Sequence, residues 1–129
     1  MSTSEPVYQE AWLPGPDGVD FYTRTYPAVT PQPSAVALFV HGFGDHSTRH
    51  EHDHVEYARR GITLFTYDQR GFGRTALDKE HRSRCSAYGK TDKKRIYEDT
   101  AWWIEYVADK YPGFPLFLVT YSAVCLPAS

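Results

Sequence analysis

A chain of 129 residues, 41% hydrophobic and 23% charged, has the composition of one globular domain and excludes a disordered segment. Against 16 Asp and Glu stand 14 Lys and Arg, a net charge of -2 with no basic run, so the electrostatic footprint of a nucleic-acid-binding protein is missing. The opening MSTSEPVYQE lacks the basic and apolar regions of a signal peptide, and no apolar run approaches the roughly 20 residues that cross a bilayer. Cys85 and Cys125 stand far apart without metal-ligand spacing, and a cytoplasmic chain with reduced thiols is expected.

In chain order, residues 8–13 and 19–26 predict two strands around the turn PGPDG. In the second, Val19, Phe21 and Thr23 alternate with Asp20, Tyr22 and Arg24, the period of a half-exposed, antiparallel outer strand. Residues 27–34 hold three prolines and form a loop. AVALFVH, residues 35–41, is apolar up to its last position and suits a strand buried on both faces of a parallel sheet. HGFGDHS follows as a loop, residues 49–60 predict a helix stopped by Gly61, and ITLFTY, residues 62–67, predicts a second buried strand. Residues 77–88 are polar and irregular. Residues 92–110 predict the longest helix, with Ile96, Thr100, Trp103, Ile104, Val107 and Tyr111 on one stripe. YPGFP ends it, and LFLVT, residues 116–120, predicts a third buried strand. A hairpin followed by strand, helix, strand, helix, strand implies an α/β fold with a mostly parallel sheet.

HGFG (His41, Gly42, Phe43, Gly44) directly follows a predicted buried strand, where parallel α/β sheets place their sites. Glycines there let amide N–H groups approach a ligand. A plain tight turn is the competing reading, and a phosphate cradle is disfavoured because neither GxGxxG nor a following Lys-Ser/Thr is present. In DQRGFG, Asp68 and Arg70 are expected to pair and pin the loop, with Gly71 and Gly73 allowing tight backbone, a supporting role beside a site. HEHDH, residues 50–54, matches H-E-x-x-H formally, with His50 and His54 on one helix face and Glu51 as a base. Its charged flanks and the lack of a third ligand other than His81 favour a solvated helix face instead, and no metal is expected. Trp103 belongs to the predicted core; Trp102 is off the stripe. Ser122 ends the third strand and is the candidate nucleophile. A nucleophile elbow is G-x-S-x-G because the strained turn crowds its flanks, yet here the window is TYSAV. By itself such a serine is also an ordinary polar residue at a strand end.

Together, LFVHGFGDHS, ITLFTYDQRGFGRT and the PLFLV strand resemble the monoglyceride lipases of the α/β-hydrolase superfamily, and DQRG resembles their fungal members. The resemblance runs from about Trp12 to Val119 and implies the N-terminal part of that fold. It implies that the backbone N–H groups of Phe43 and Ala123 form an oxyanion hole and that Ser122 is the nucleophile. It further implies hydrolysis of a monoacylglycerol to fatty acid and glycerol, without a cofactor, by a protein that contacts lipid droplets or membranes peripherally at most. Where the pattern is departed from, TYSAV replaces the family's G-H-S-M-G. All six histidines precede Ser122, no acidic residue follows it, and the fold's triad order is Ser, Asp or Glu, then His. Residues 1–129 are therefore expected to be one incomplete domain, truncated at its C-terminus and inactive as it stands, with 120–129 a tail foreign to the family. The alternatives are a genuine but degenerate elbow at Ser122, a non-catalytic fragment that only binds, and a zinc hydrolase using the HEHDH segment.

Overall fold

The computed structural model describes residues 7–121. The run AVALFV forms β3 (Ala35–Val40), and all six residues are buried. Its place explains this: β3 lies between β4 (Ile62–Tyr67) and β5 (Leu116–Thr120), parallel to both. A hairpin of β1 (Gln9–Pro14) and β2 (Asp20–Tyr26) joins antiparallel to β4, giving the order β1-β2-β4-β3-β5. The hairpin turns through Asp17 and Gly18, both at positive φ (61° and 71°), where Gly18 bears no steric cost.

Three helices cover the sheet: α1 (Glu51–Arg59), the short α2 (Gly73–Leu77) and α3 (Lys93–Lys110). Strand alternation divides the apolar side chains between two cores. On one face Phe21, Val36, Leu38, Val40, Phe65 and Tyr67 pack on Trp103 and Val107 of α3. On the other, Tyr26, Ala37, Phe39 and Leu64 pack on Ala58 of α1. Each such large side chain taken fully from water stabilises by about 1.5–3 kcal/mol before its entropy cost is counted. Asp92 caps α3, its carboxylate accepting the Arg95 N–H at 2.8 Å. Among the described residues no helix is long and apolar enough to cross a membrane.

Two expectations from the sequence are corrected. β2 is antiparallel, but it is neither an edge nor half-exposed; β1 is the edge, and Phe21 to Tyr26 are all buried. Arg24 misled the pattern. Its guanidinium lies 3.9 Å from the Tyr8 ring centroid, donates to the Tyr22 and Tyr26 hydroxyls and pairs with Glu51 at 3.0 Å. A charge so covered sits in an interior strand without reaching water. β5 is not buried on both faces: Phe117 is 56% and Leu118 45% exposed, because among the described residues β5 pairs with β3 alone. Residues 78–88 are irregular, as expected, and the short helix α2, not expected from the sequence, precedes them.

Candidate active site

The HGFG loop leaves β3 at its C-terminal end, as its position after a buried strand predicts. His41 is fully buried and ties this loop to the one after β4. The Gln69 backbone N–H donates to His41 Nε2 at 2.9 Å, so Nε2 is unprotonated and the proton is on Nδ1, which donates to the Gly42 carbonyl at 2.7 Å. The Gln69 side-chain amide donates to the His41 carbonyl at 2.6 Å. Burial lowers the His41 pKa below its ordinary value, so the imidazole stays neutral and acts as a structural link.

Residues 42–45 form a β-turn closed by the Asp45 N–H donating to the Gly42 carbonyl at 3.1 Å. Gly44, third in the turn, has φ 79°, the conformation that favours glycine there. Phe43 projects outward, 62% exposed, and among the described residues nothing accepts its backbone N–H. The turn borders a hollow of about 430 Å³ that His50, Asp53 and Tyr121 also line. β5 ends beside it, with the Tyr121 N–H donating to the Val40 carbonyl at 3.2 Å. Ser122 and Ala123 follow directly in sequence and lie outside the described residues.

Asp45 fastens the turn to the start of α1. Its carboxylate accepts the His46 N–H at 2.8 Å, bonds His50 Nε2 at 2.5 Å and meets Arg49 at 3.5 Å. Burial opposes its charge, but the hydrogen bonds from His50 and His46 prevail and hold its pKa below the usual carboxylate range. Sequence reasoning missed this pair, although an aspartate five residues before a histidine at a helix start offered a clue.

The loop after β4 does support the site, but not through the expected pair. Asp68 does not bind Arg70. One Asp68 oxygen accepts the Ser47 N–H at 2.8 Å and its hydroxyl at 2.7 Å; the other accepts the Arg74 N–H at 2.8 Å. The carboxylate therefore braces the HGFG loop's far end against α2. Arg70 points to the α3 side, where it makes a two-pronged bond to buried Asp99 at 2.9 and 3.0 Å and pairs with Asp17 at 3.0 Å. The two side chains, two residues apart, diverge because the chain leaves the extended conformation between them, turning so that the Phe72 N–H donates to the Gln69 carbonyl at 2.9 Å. Gly73, at φ 55°, packs where a Cβ would collide with the Asp68 carboxylate.

In the HEHDH segment His52 and Asp53 face solvent, as a solvated helix face would, but the two histidines of the H-E-x-x-H match do not. Among the described residues no group of three His, Cys, Asp or Glu side chains is placed to hold a metal. His50 and His54 do share a face, with ring centroids 6.4 Å apart, but both are buried. His54 packs on Phe39 and Tyr26, with neither ring nitrogen partnered among the described residues. Burial, aided by the charges of His50 and Arg24, pushes its pKa down to about 3.

The family described as "Serine aminopeptidase, S33" matches residues 31–123, well over half of the chain. The chain belongs to this α/β-hydrolase family. Within it, the chain is monoglyceride lipase-like. A putative monoglyceride lipase of Schizosaccharomyces pombe is 33% identical over 67 residues, 52% of this chain and 18% of the relative. A soluble variant of the Saccharomyces cerevisiae monoglyceride lipase, solved with a substrate analog, superimposes with a TM-score of 0.72 at 27% identity, covering 93% of this chain and 36% of that one. A thermostable carboxyl esterase from Bacillus coagulans, solved with glycerol, gives 0.71 at 26% identity over 86% and 35% of the two chains. The chain thus spans about a third or less of the length of these relatives.

Proposed function

We propose that the chain is the N-terminal part of a serine ester hydrolase that cleaves monoacylglycerol to fatty acid and glycerol. One observation carries the reading: a braced HGFG turn at the carboxyl end of β3 holds the Phe43 N–H without an acceptor, beside the strand that leads to Ser122. Ser122 Oγ attacks the ester carbonyl, and the oxyanion that forms accepts hydrogen bonds from the Phe43 and Ala123 N–H groups. Each such donor is worth about 3 kcal/mol of transition-state stabilisation. The substrate class rests on the lipase and esterase names of the relatives, and the family's peptidase description is set aside for them. The reading needs no cofactor and places the protein in the cytoplasm, touching lipid peripherally.

A second reading, a non-catalytic fragment, is favoured by TYSAV, which lacks both glycines of the elbow. Sequencing the transcript across codon 119, then treating the encoded protein with a fluorophosphonate probe and a monoacylglycerol, separates the two. A frame that supplies an Asp and then a His, with labelling and fatty-acid release abolished by Ser122→Ala, supports the hydrolase. A transcript ending at codon 129 whose product takes no label overturns it in favour of the fragment.

A further inference from the structure

We propose that His50 is a positioning residue: through the Asp45 carboxylate it sets the turn that presents the Phe43 N–H. This rests on Phe43 as an oxyanion donor. The turn has two moorings. Before it, His41 is held by Gln69. After it, Asp45 is the last residue of the turn, and its carboxylate is the only part of the turn bonded to α1 or its approach among the described residues. Besides the His46 N–H it has two side-chain partners there: Arg49 is 70% exposed and 3.5 Å away, whereas His50 is 8% exposed and 2.5 Å away. A carboxylate that is itself 10% exposed needs a close donor, and His50 is that donor. His50 cannot swing aside, because Phe39 and Tyr121 pack against its ring at centroid distances of 5.0 and 4.6 Å.

The bond from His50 therefore reaches the turn. Its Nε2 donates to the Asp45 carboxylate, and Asp45 carries the closing N–H of the turn. The other groups around the pair are His46 and Arg49 on the loop and helix approach, His54, His52 and Asp53 on α1, and His41 on the opposite mooring. Phe39 of β3 and the Tyr121 ring complete the surroundings.

The test is the amide spectrum of the 129-residue protein labelled with ¹⁵N, compared between variants at one pH. In His50→Gln, which keeps a neutral donor, the Phe43 and Gly44 resonances should stay near their original positions. In His50→Ala they should shift, and hydrogen exchange at Phe43 should quicken at least tenfold. Arg49→Ala, which removes the exposed partner, should leave both amides in place. Phe43 and Gly44 amides that do not move in His50→Ala would overturn the inference, as would a shift in Arg49→Ala as large as that in His50→Ala. Where the alanine variant does not fold, Asp45→Asn weakens the same bond from the other side and should move the same two amides; their failure to move would overturn the inference. Nothing in this readout depends on turnover, so an unreactive Ser122 would sink the hydrolase reading without touching the coupling between His50 and the turn.

Discussion

His54→Leu should stabilise the protein, and by more in acid. Above neutral pH the gain comes from removing two buried ring nitrogens that have no partner among the described residues, about 1–2 kcal/mol. Leucine also suits the helix interior and the apolar contact with Phe39 and Tyr26. The acid term follows from the lowered pKa. An unfolded histidine protonates near 6.5, whereas His54 in the folded protein resists until about 3. A depressed folded value means that the contribution is complete above the unfolded pKa and is lost as pH falls toward the folded one. At pH 5 the interval already crossed is about 1.5 units, which at about 1.4 kcal/mol per unit is about 2 kcal/mol. Urea unfolding at pH 7.5 and pH 5, read from fluorescence of the buried Trp103, measures both terms. Buried His41 adds an acid loss of the same sign, but it is common to both proteins and cancels in the difference. The advantage of His54→Leu should widen by about 2 kcal/mol between the two pH values. An advantage that is equal at both would refute the claim that His54 is held neutral by burial.

Phe43→Pro removes the proposed oxyanion donor while placing proline second in a β-turn, where its φ is welcome. In the active protein it should cut monoacylglycerol turnover about a hundredfold or more with an unchanged urea midpoint. Asp99→Ala should cost about 2 kcal/mol, because the Arg70 guanidinium loses its two-pronged buried partner and keeps only Asp17 and the Pro16 carbonyl, and urea titration checks this. Gly73→Ala should destabilise by at least about 2 kcal/mol, since the positive φ and the collision with Asp68 act together; the same melts read it. Leu118→Lys should reduce self-association of the 129-residue polypeptide in sedimentation, because β5 presents an apolar edge among the described residues.

Hydrophobic period and turn chemistry alone determined much of this protein. Continuous apolar runs at 35–40 and 62–67 are strands with both faces covered, the α3 stripe put Trp103 and Val107 in the core, and glycines after β3 marked the candidate site. These features are local, so they are written in neighbouring residues. What the tertiary structure decided concerns partners far apart in the chain. Arg24 looked like a mark of an exposed strand, but Tyr8 and Glu51 cover it from elsewhere. Asp68 and Arg70, two residues apart, chose Ser47 and Asp99 instead of each other. The histidines of HEHDH pointed to water or a metal, yet helix phase turned His50 and His54 onto Phe39. A charged or polar side chain has its environment set by what the fold brings over it, and no local pattern encodes that.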